Sequence, residues 1–457
     1  MIFNKKKYDF DLIVIGSGSG GSVAAHYAES LGKKVALFEA SAVGGECPNY
    51  ACVPTKALLH AGHVYQTTQN AKLFGTNIEN ASVNYHAVRK WKDLVVERTG
   101  ASHGEASFRK EGITLIQHKA EFVSPHEVVA NGKTYSAAKF LLATGSKTFV
   151  PHVDGLEETG YITFREAIDM DQPPKSMLIY GGGAIACEFA QIFNSFGTKV
   201  TIVNRSERIL SKEDIEVSDI VKALFENAGI QVLTNTNVER VEKRNGHKAV
   251  HFKAGDKTFS HEYEEILCAL GKVPVMSFAP EKAGLKIKDR KLVVKKNLQT
   301  SVPHIYAAGD LVGPYLFTHT SSFQSYVAAQ NLFSRDQVTP DYSVVPRCVF
   351  VSPEVASVGI SEVEAIEKKI KIKKGIMALG MLGRANTENE FDGFVKVITD
   401  KKGVIIGGSI VAPRAGEMIH EIALAMKCRV TADELADMIH AYPTYSEGIK
   451  IACSLVE

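Results

Sequence analysis

Cysteine is scarce in this chain: seven among 457 residues, at 47, 52, 187, 268, 348, 428 and 453. That density excludes a disulfide scaffold and points to a reducing, cytoplasmic compartment. Neither sign of charge is in excess. A formal net charge of +2 gives no electrostatic reason to expect nucleic acid or an acidic partner. The short basic run Lys5-Lys6-Lys7 reads as a solvated fringe. Long hydrophobic runs are missing too, and none approaches the roughly 20 residues of a bilayer span. No apolar h-region or cleavage site opens the chain, so no signal peptide is expected and no membrane partner. What remains is the composition of a globular protein, 45% hydrophobic and 23% charged. At 457 residues it is too long for one ordinary core, and about two to four domains are expected.

The stretch Gly44 to Lys56, GGECPNYACVPTK, organises the rest. Cys47 and Cys52 are separated by four residues, Pro48 and Pro54 punctuate them, and Lys56 follows one turn later. Residues five apart on an ideal helix point well away from each other. A disulfide needs its Cα atoms within about 7 Å, so a bridge here requires a distorted first helical turn. Proline at a helix start is compatible with that. A thiol near a helix N-terminus and a lysine has its thiolate favoured. The competing reading is two buried free cysteines. The position of the pair, directly after a nucleotide-binding unit, favours a redox-active couple.

That unit spans residues 10 to 39. Asp11-Leu-Ile-Val-Ile15 is an apolar run of the kind a buried parallel strand needs, and Gly16, Gly18 and Gly21 give G-x-G-x-x-G. A helical stretch runs to about Leu31, and the strand Lys34 to Phe38 ends in Glu39. The glycines let a backbone turn approach a pyrophosphate seated on the helix N-terminus, and Glu39 is placed to accept from a ribose. Residues 60 to 110 read as mostly helical. Strands are expected at 114–117 and 127–129, with a hairpin turn at Asn131-Gly132, before Phe140-Leu-Leu-Ala-Thr144-Gly145 closes this part.

A second unit starts at Met177. Gly181, Gly183 and Ala186 give G-x-G-x-x-A, a helix carrying Glu188 runs to about Phe196, and Lys199 to Val203 is the next strand. Arg205 and Arg208 then stand where an NAD-preferring site places an acid. Arginines accommodate a 2′-phosphate, so NADPH is expected over NADH; the alternative is a pair of solvated loop charges. Ala269-Leu-Gly271-Lys272 closes this unit much as Ala143-Thr144-Gly145 closes the first. Pro303 to Asp310 is an apolar strand ending in Gly-Asp. Beyond Pro340 the chain reads as strands at 348–351, 394–398 and 404–411 with helices alongside, a hairpin turn at Asp400 to Gly403, and a capping box at Thr431 and Glu434. The fold class is α/β: two Rossmann-like dinucleotide-binding domains and a C-terminal α+β domain. The expected segments are 1–150 and 274–340 for the first, 151–273 for the second, and 341–457 for the third.

With the cysteine motif, two glycine turns and Tyr306-Ala-Ala-Gly309-Asp310 in this order, the chain resembles the FAD-dependent pyridine nucleotide–disulfide oxidoreductases, a family that includes glutathione reductase, dihydrolipoamide dehydrogenase and mercuric reductase. The resemblance covers essentially the whole chain. It implies FAD on the first unit, with Gly45, Thr144-Gly145 and Asp310 beside it, and the nicotinamide coenzyme on the second, with Gly271 at its close. It implies that Lys56 sits by the flavin and pairs with Glu188. Cys52 would be the thiolate in charge-transfer contact with the flavin, and Cys47 the cysteine that meets substrate. It also implies a homodimer completed across the C-terminal domain. Position 184, often a tyrosine gating the nicotinamide pocket in the family, is alanine here.

The chain departs from the pattern near its end. Disulfide-reducing members carry His-Pro-Thr-x-Ser-Glu, whose histidine protonates the leaving thiolate. Here the segment is Tyr442-Pro-Thr-Tyr-Ser-Glu447, and a tyrosine with a pKa near 10 is a poor base at neutral pH. His440 is two residues away and reads as a hydrogen-bonded or packing residue. Tyr442 followed by Glu447-Gly-Ile-Lys450 resembles mercuric reductase, and Glu447 matches the glutamate of the family segment. Mercuric reductases, however, end in adjacent cysteines, and this chain has Cys453 alone, together with no N-terminal C-x-x-C metal-binding domain. No resident metal site is expected, although thiolates at 47 and 52 suit a soft metal ion as substrate. The leading expectation is thus an NADPH- and FAD-dependent oxidoreductase with a metal-ion or small-molecule acceptor. The alternatives are a disulfide reductase with Tyr442 in place of histidine, and a redox-sensing flavoprotein without turnover.

Overall fold

A computed structural model describes residues 7–99 and 101–457; Lys5 and Lys6 of the basic run lie outside them. By its internal contacts the chain divides into two compact units. One comprises Met1–Ala57, Lys90–Phe149 and Lys272–Asp341, the other Leu58–Arg89, Val150–Gly271 and Tyr342–Glu457.

In the first unit, strand Phe10–Ile15 runs parallel to Val35–Phe38 on one side and to Lys133–Leu142 on the other. Thr114–Ile116 and Ile305–Ala307 extend the sheet at its two ends, also in parallel. Side chains alternate across a strand, so each face of Phe10–Ile15 buries its own set. Leu12 and Val14 pack with Ala24, Ala25 and Ala28 of helix Ser19–Ser30 and Val327 to Ala329 of helix Thr318–Phe333. Ile13 and Ile15 pack on the opposite face with Phe38, Phe122, Phe140 and Phe278. The alanines bring the two helices close to the sheet, and it is their N-termini that reach the glycine turns.

The Asn131-Gly132 hairpin forms as expected, with φ of 48° and 72° at its two central residues and Ala130 paired to Lys133. Strand Glu121–Ser124, which the sequence reading passed over, adds to Glu127–Ala130 and thence to Lys133–Leu142 in an antiparallel meander.

In the second unit, Ser176–Tyr180 lies between Lys199–Val203 and Glu265–Cys268, with Gln231–Leu233 outermost, all parallel. A three-stranded antiparallel sheet, 237–263, packs Val241, Val250 and Phe252 against Leu178 and Tyr180. The C-terminal part is a five-stranded antiparallel sheet in the order Arg347–Val349, Glu354–Gly359, Ile405–Ala412, Phe394–Thr399, Lys373–Ala378. Helix Ala415–Cys428 contributes Met418, Ile419 and Ile422 to the core beneath that sheet. Two of these strands, 354–359 and 373–378, were not legible in the sequence. The first is rich in small residues, and the second is an edge strand beginning Lys-Lys-Gly, a composition that alternation does not betray. Among the described residues, no helix is long and apolar enough to cross a membrane.

Candidate active site

The first glycine turn is shaped by steric necessity. A Cβ on Gly16, whose φ is +105°, would run into the carbonyl of Ala143, and one on Gly21 would run into the carbonyl of Gly16. Gly18 caps helix Ser19–Ser30 with no side-chain acceptor; the Gly21 and Ser22 amides donate to the Gly18 carbonyl, and those of Ser19 and Gly20 at the helix start suit an external anion. Glu39, 9% exposed, binds the Ser17 amide at 2.9 Å and the Ser17 hydroxyl at 2.7 Å through one oxygen, and the Ser41 amide at 2.8 Å through the other. Gly309 lies against the same turn: a Cβ there would sit 3.6 Å from the Gly20 Cα. Asp310 accepts from the Ser146 hydroxyl at 2.6 Å, and Thr144 donates to the Val275 carbonyl at 2.6 Å. The structure therefore brings Gly16, Gly18, Gly21, Glu39, Thr144, Gly145 and Asp310 together in one unit. A glycine cradle, free helix amides and a buried acid fit a dinucleotide such as FAD.

The cysteine segment folds onto this cradle. Gly44 and Gly45 take left-handed conformations, φ 89° and 74°, and a Cβ on Gly45 would lie 2.7 Å from the Gly18 Cα. The expected distortion is real. Helix Glu46–Asn49 is a single turn, Tyr50 breaks it at φ −133°, and the long helix Cys52–Asn70 starts afresh at the second cysteine. Cys47 and Cys52 are thus at the starts of two successive helices, both as partly exposed thiols. The hydrogen bond with Cys52 and burial push the Cys47 thiol up, while the Thr318 hydroxyl and the Lys56 charge pull it the other way. Thr318, first residue of helix Thr318–Phe333, sits 3.5 Å from the Cys52 sulfur. The carboxylate of Glu46, next to Cys47 in the chain, is ion-paired to Lys272, which limits its opposition to a thiolate.

Sequence reasoning missed both Thr318 and Glu46–Lys272. A threonine soon after a Gly-Asp turn at an expected helix start was the available signal for the first. For the second, nothing short of tertiary structure joins positions 46 and 272.

The second glycine turn repeats the first. A Cβ on Gly181 would meet the Ala269 carbonyl, Gly183 has open space beside it, and helix Ala184–Ser195 starts without a side-chain cap. Ala186 is fully buried, and Gly271 takes φ +115°. Past strand Lys199–Val203, Asn204 packs on Gly182 and donates to the Arg208 carbonyl at 2.8 Å. Arg205 is exposed, whereas Arg208 is half-buried with its Nη1 buried and unpartnered among the described residues. Such an orphan donor fits an anion, as a nicotinamide dinucleotide carrying a 2′-phosphate would provide. Glu188 is buried and accepts from the Phe350 amide at 3.0 Å. Lys56 and Glu188 fall in different units.

At the C-terminus Tyr442 is 78% exposed, with its hydroxyl against Gly383. His440 is the reverse. Its side chain is 5% exposed, and its ring nitrogens face the Glu421 carboxylate at 2.8 Å and the Met438 carbonyl at 3.2 Å. It is a hydrogen-bonded packing residue, as expected. Glu447 accepts from the Thr444 amide at 3.0 Å and so closes the turn that presents Tyr442. Cys453 is buried in helix Glu447–Ser454, and burial pushes its thiol up to about 12.

Residues 10–331 match the model of the pyridine nucleotide-disulphide oxidoreductases, and residues 345–453 match the dimerisation domain of the same family. The chain is 33% identical to a mercuric reductase of Bacillus cereus, over 97% of this chain and 71% of that one. It is 34% identical to a dihydrolipoyl dehydrogenase of Geobacillus stearothermophilus, over 98% of this chain and 96% of the relative. Among solved structures it superposes on the HOCl-induced flavoprotein disulfide reductase RclA from Escherichia coli with a TM-score of 0.88 and 27% identity, covering 98% and 100% of the two chains. That protein is also known as a Cu(II) complex. Members of the family work with FAD and a pyridine nucleotide. The glycine cradles, the paired thiols and the C-terminal sheet agree with these likenesses, and the chain belongs to the pyridine nucleotide–disulfide oxidoreductase family.

Proposed function

We propose that this protein is an NADPH- and FAD-dependent oxidoreductase that cycles Cys47 and Cys52 between disulfide and dithiol, and passes the electron pair to an acceptor as a mercuric reductase does. The observation that carries this reading is the contact of two thiols at successive helix starts, in a chain whose later candidate base position holds an exposed tyrosine. FAD and NADPH, when bound, supply the two-electron hydride chemistry. The chain's own residues do the rest. Gly16, Gly18, Gly21, Gly45, Glu39, Thr144, Gly145 and Asp310 hold the flavin nucleotide, while Gly181, Gly183, Ala186, Gly271, Arg205 and Arg208 hold the coenzyme. Lys56 and Thr318 favour the thiolate form of the pair, and Glu188 acts in the coenzyme-binding unit. Taking up two electrons and two protons opens the disulfide; giving them to the acceptor closes it again.

Tyr442 and Glu447 shape the acceptor site. An exposed phenol suits a thiophilic metal ion, which needs no proton delivered to a leaving thiolate. The mercuric reductase likeness and the Cu(II) complexes of the Escherichia coli neighbour support a metal-ion acceptor. The dihydrolipoyl dehydrogenase likeness supports a second reading, a disulfide reductase that manages without the histidine.

We further propose a homodimer, a cytoplasmic setting and the four-segment division at 150, 273 and 340. Steady-state NADPH oxidation with Hg(II), Cu(II), glutathione disulfide and lipoamide in parallel tests the acceptor. The metal-ion reading requires metal-dependent turnover that Cys47→Ser abolishes. Faster turnover with a disulfide substrate would transfer the case to the second reading.

A further inference from the structure

The loop that carries Arg205 and Arg208 runs from Asn204 to Asp214, between strand Lys199–Val203 and helix Ile215–Asn227. Its front is fixed on the glycine turn, where the Leu210 amide donates to the Gly182 carbonyl at 2.7 Å. Its far end is fixed on the C-terminal sheet. Glu213 takes a two-point contact from Arg347, at 2.8 and 3.2 Å, and a hydrogen bond of 2.5 Å from the Ser357 hydroxyl. Asp214 accepts from the Glu362 amide at 2.9 Å and from the Ser409 hydroxyl at 2.9 Å, and lies 3.3 Å from Lys396. Lys396 is fully buried and also binds Glu216 at 2.8 Å and Glu362 at 3.1 Å.

Two features of this network call for more than a structural explanation. Asp214 occupies the N-cap position of helix Ile215–Asn227, where an aspartate ordinarily binds its own helix amides, yet it makes no such bond. Its carboxylate is spent on the C-terminal sheet instead. Burying Lys396 among three carboxylates is, moreover, weak as a source of stability, because desolvation consumes most of the attraction. What such a network does provide is a single fixed register for the segment it grips. Five residues before Glu213 stands Arg208, whose buried Nη1 has no protein partner among the described residues. An arginine held in place before its anion arrives binds it without meeting the ordering cost of a free loop.

We propose that Glu213 and Asp214, gripped by Arg347, Ser409 and Lys396, are positioning residues for the coenzyme: the C-terminal domain sets how well the 204–214 loop recognises a 2′-phosphate. The inference rests on the NADPH reading above and adds the source of its selectivity. It also makes the domain matched to dimerisation a determinant of coenzyme choice, through residues that never touch the coenzyme.

Calorimetric titration of the holoenzyme with adenosine 2′,5′-bisphosphate and with 5′-AMP separates the two claims. The wild type binds the bisphosphate the more tightly, and Arg208→Gln removes that preference; equal affinities in the wild type would overturn the NADPH reading and this inference with it. Removing Lys396 would strand three carboxylates and endanger folding, so the anchor is loosened with Arg347→Gln and, more gently, Ser409→Ala. Each lowers bisphosphate affinity about three- to tenfold and leaves 5′-AMP affinity unchanged. A merely structural anchor would move both ligands together or neither. A folded Ser409→Ala or Arg347→Gln protein with the wild-type ratio of affinities, beside an Arg208→Gln protein that has lost it, overturns the inference.

Discussion

The chemistry of the site is decided by single atoms around two sulfurs. The hydrogen bond from Cys52 and burial push the Cys47 thiol up, and the Thr318 hydroxyl and Lys56 charge oppose that. Replacing Thr318 with valine keeps the shape and removes the donor, so the Cys47 thiolate becomes harder to form. A hydrogen bond to a charged group is worth about 1.5 kcal/mol, so iodoacetamide alkylation of the reduced pair at pH 7 should slow about tenfold in Thr318→Val. Thr318→Ser should restore it; an unchanged alkylation pH profile would remove Thr318 from the site. At this scale the sequence was read well where a motif packs its residues together, as from Gly44 to Lys56. It was read poorly where the partner arrives from far along the chain. Thr318 and Lys272 stand hundreds of residues from the thiols, and spacing carries no trace of them.

Elements were legible in proportion to how hard their sequence is constrained. The parallel strands at 10–15 and 176–180 are buried on both faces and must be continuously apolar, so both were found to within a residue or two. The glycine turns were equally legible, because at Gly16, Gly21 and Gly181 no other residue satisfies the contacts. Gly16→Ala places a Cβ on the Ala143 carbonyl at a φ of +105°. Together, overlap and strain cost about 2–5 kcal/mol. We expect a lowered Tm and a flavin-to-protein molar ratio well below one after purification; a fully flavinated variant of wild-type Tm would contradict this.

The edge strand 373–378 was not legible, since lysines on an edge serve to block pairing rather than to signal a strand. Its Lys374 nevertheless has a measurable role. Burial raises the Glu362 carboxyl, but hydrogen bonds from Lys374 and Lys396 outweigh it and hold the group below its usual value of 4.5. A lowered carboxyl stabilises the fold above its ordinary pKa, and that contribution is lost as pH falls through the folded value. Thermal stability should therefore decline as pH drops below about 4.5, and less steeply in Lys374→Met. Parallel Tm profiles for the two proteins would count against this role.

For the molecule as a whole, the order of motifs along the chain was enough to give the α/β class, and the family models agree. Partition and assembly are less local properties. The domain matched to dimerisation carries Ile439, Tyr442, Leu424 and Met381 largely exposed, at 92%, 78%, 65% and 67%. Exposed apolar side chains in this domain suit the homodimer proposed above. Light scattering after gel filtration should give a mass near twice the 49.7 kDa of one chain. A fully active monomer would refute the dimer.

As proposed above, Cys47 and Cys52 form a redox couple in electronic contact with the flavin. Stopped-flow reduction of the oxidised holoenzyme by NADPH, with NADH alongside, addresses it directly. A long-wavelength absorbance band is expected at two-electron reduction, present in the wild type and absent in Cys52→Ser. Direct bleaching of the flavin in the wild type, with no such band, would show that the cysteines are out of redox contact and leave a plain flavin reductase or a sensor.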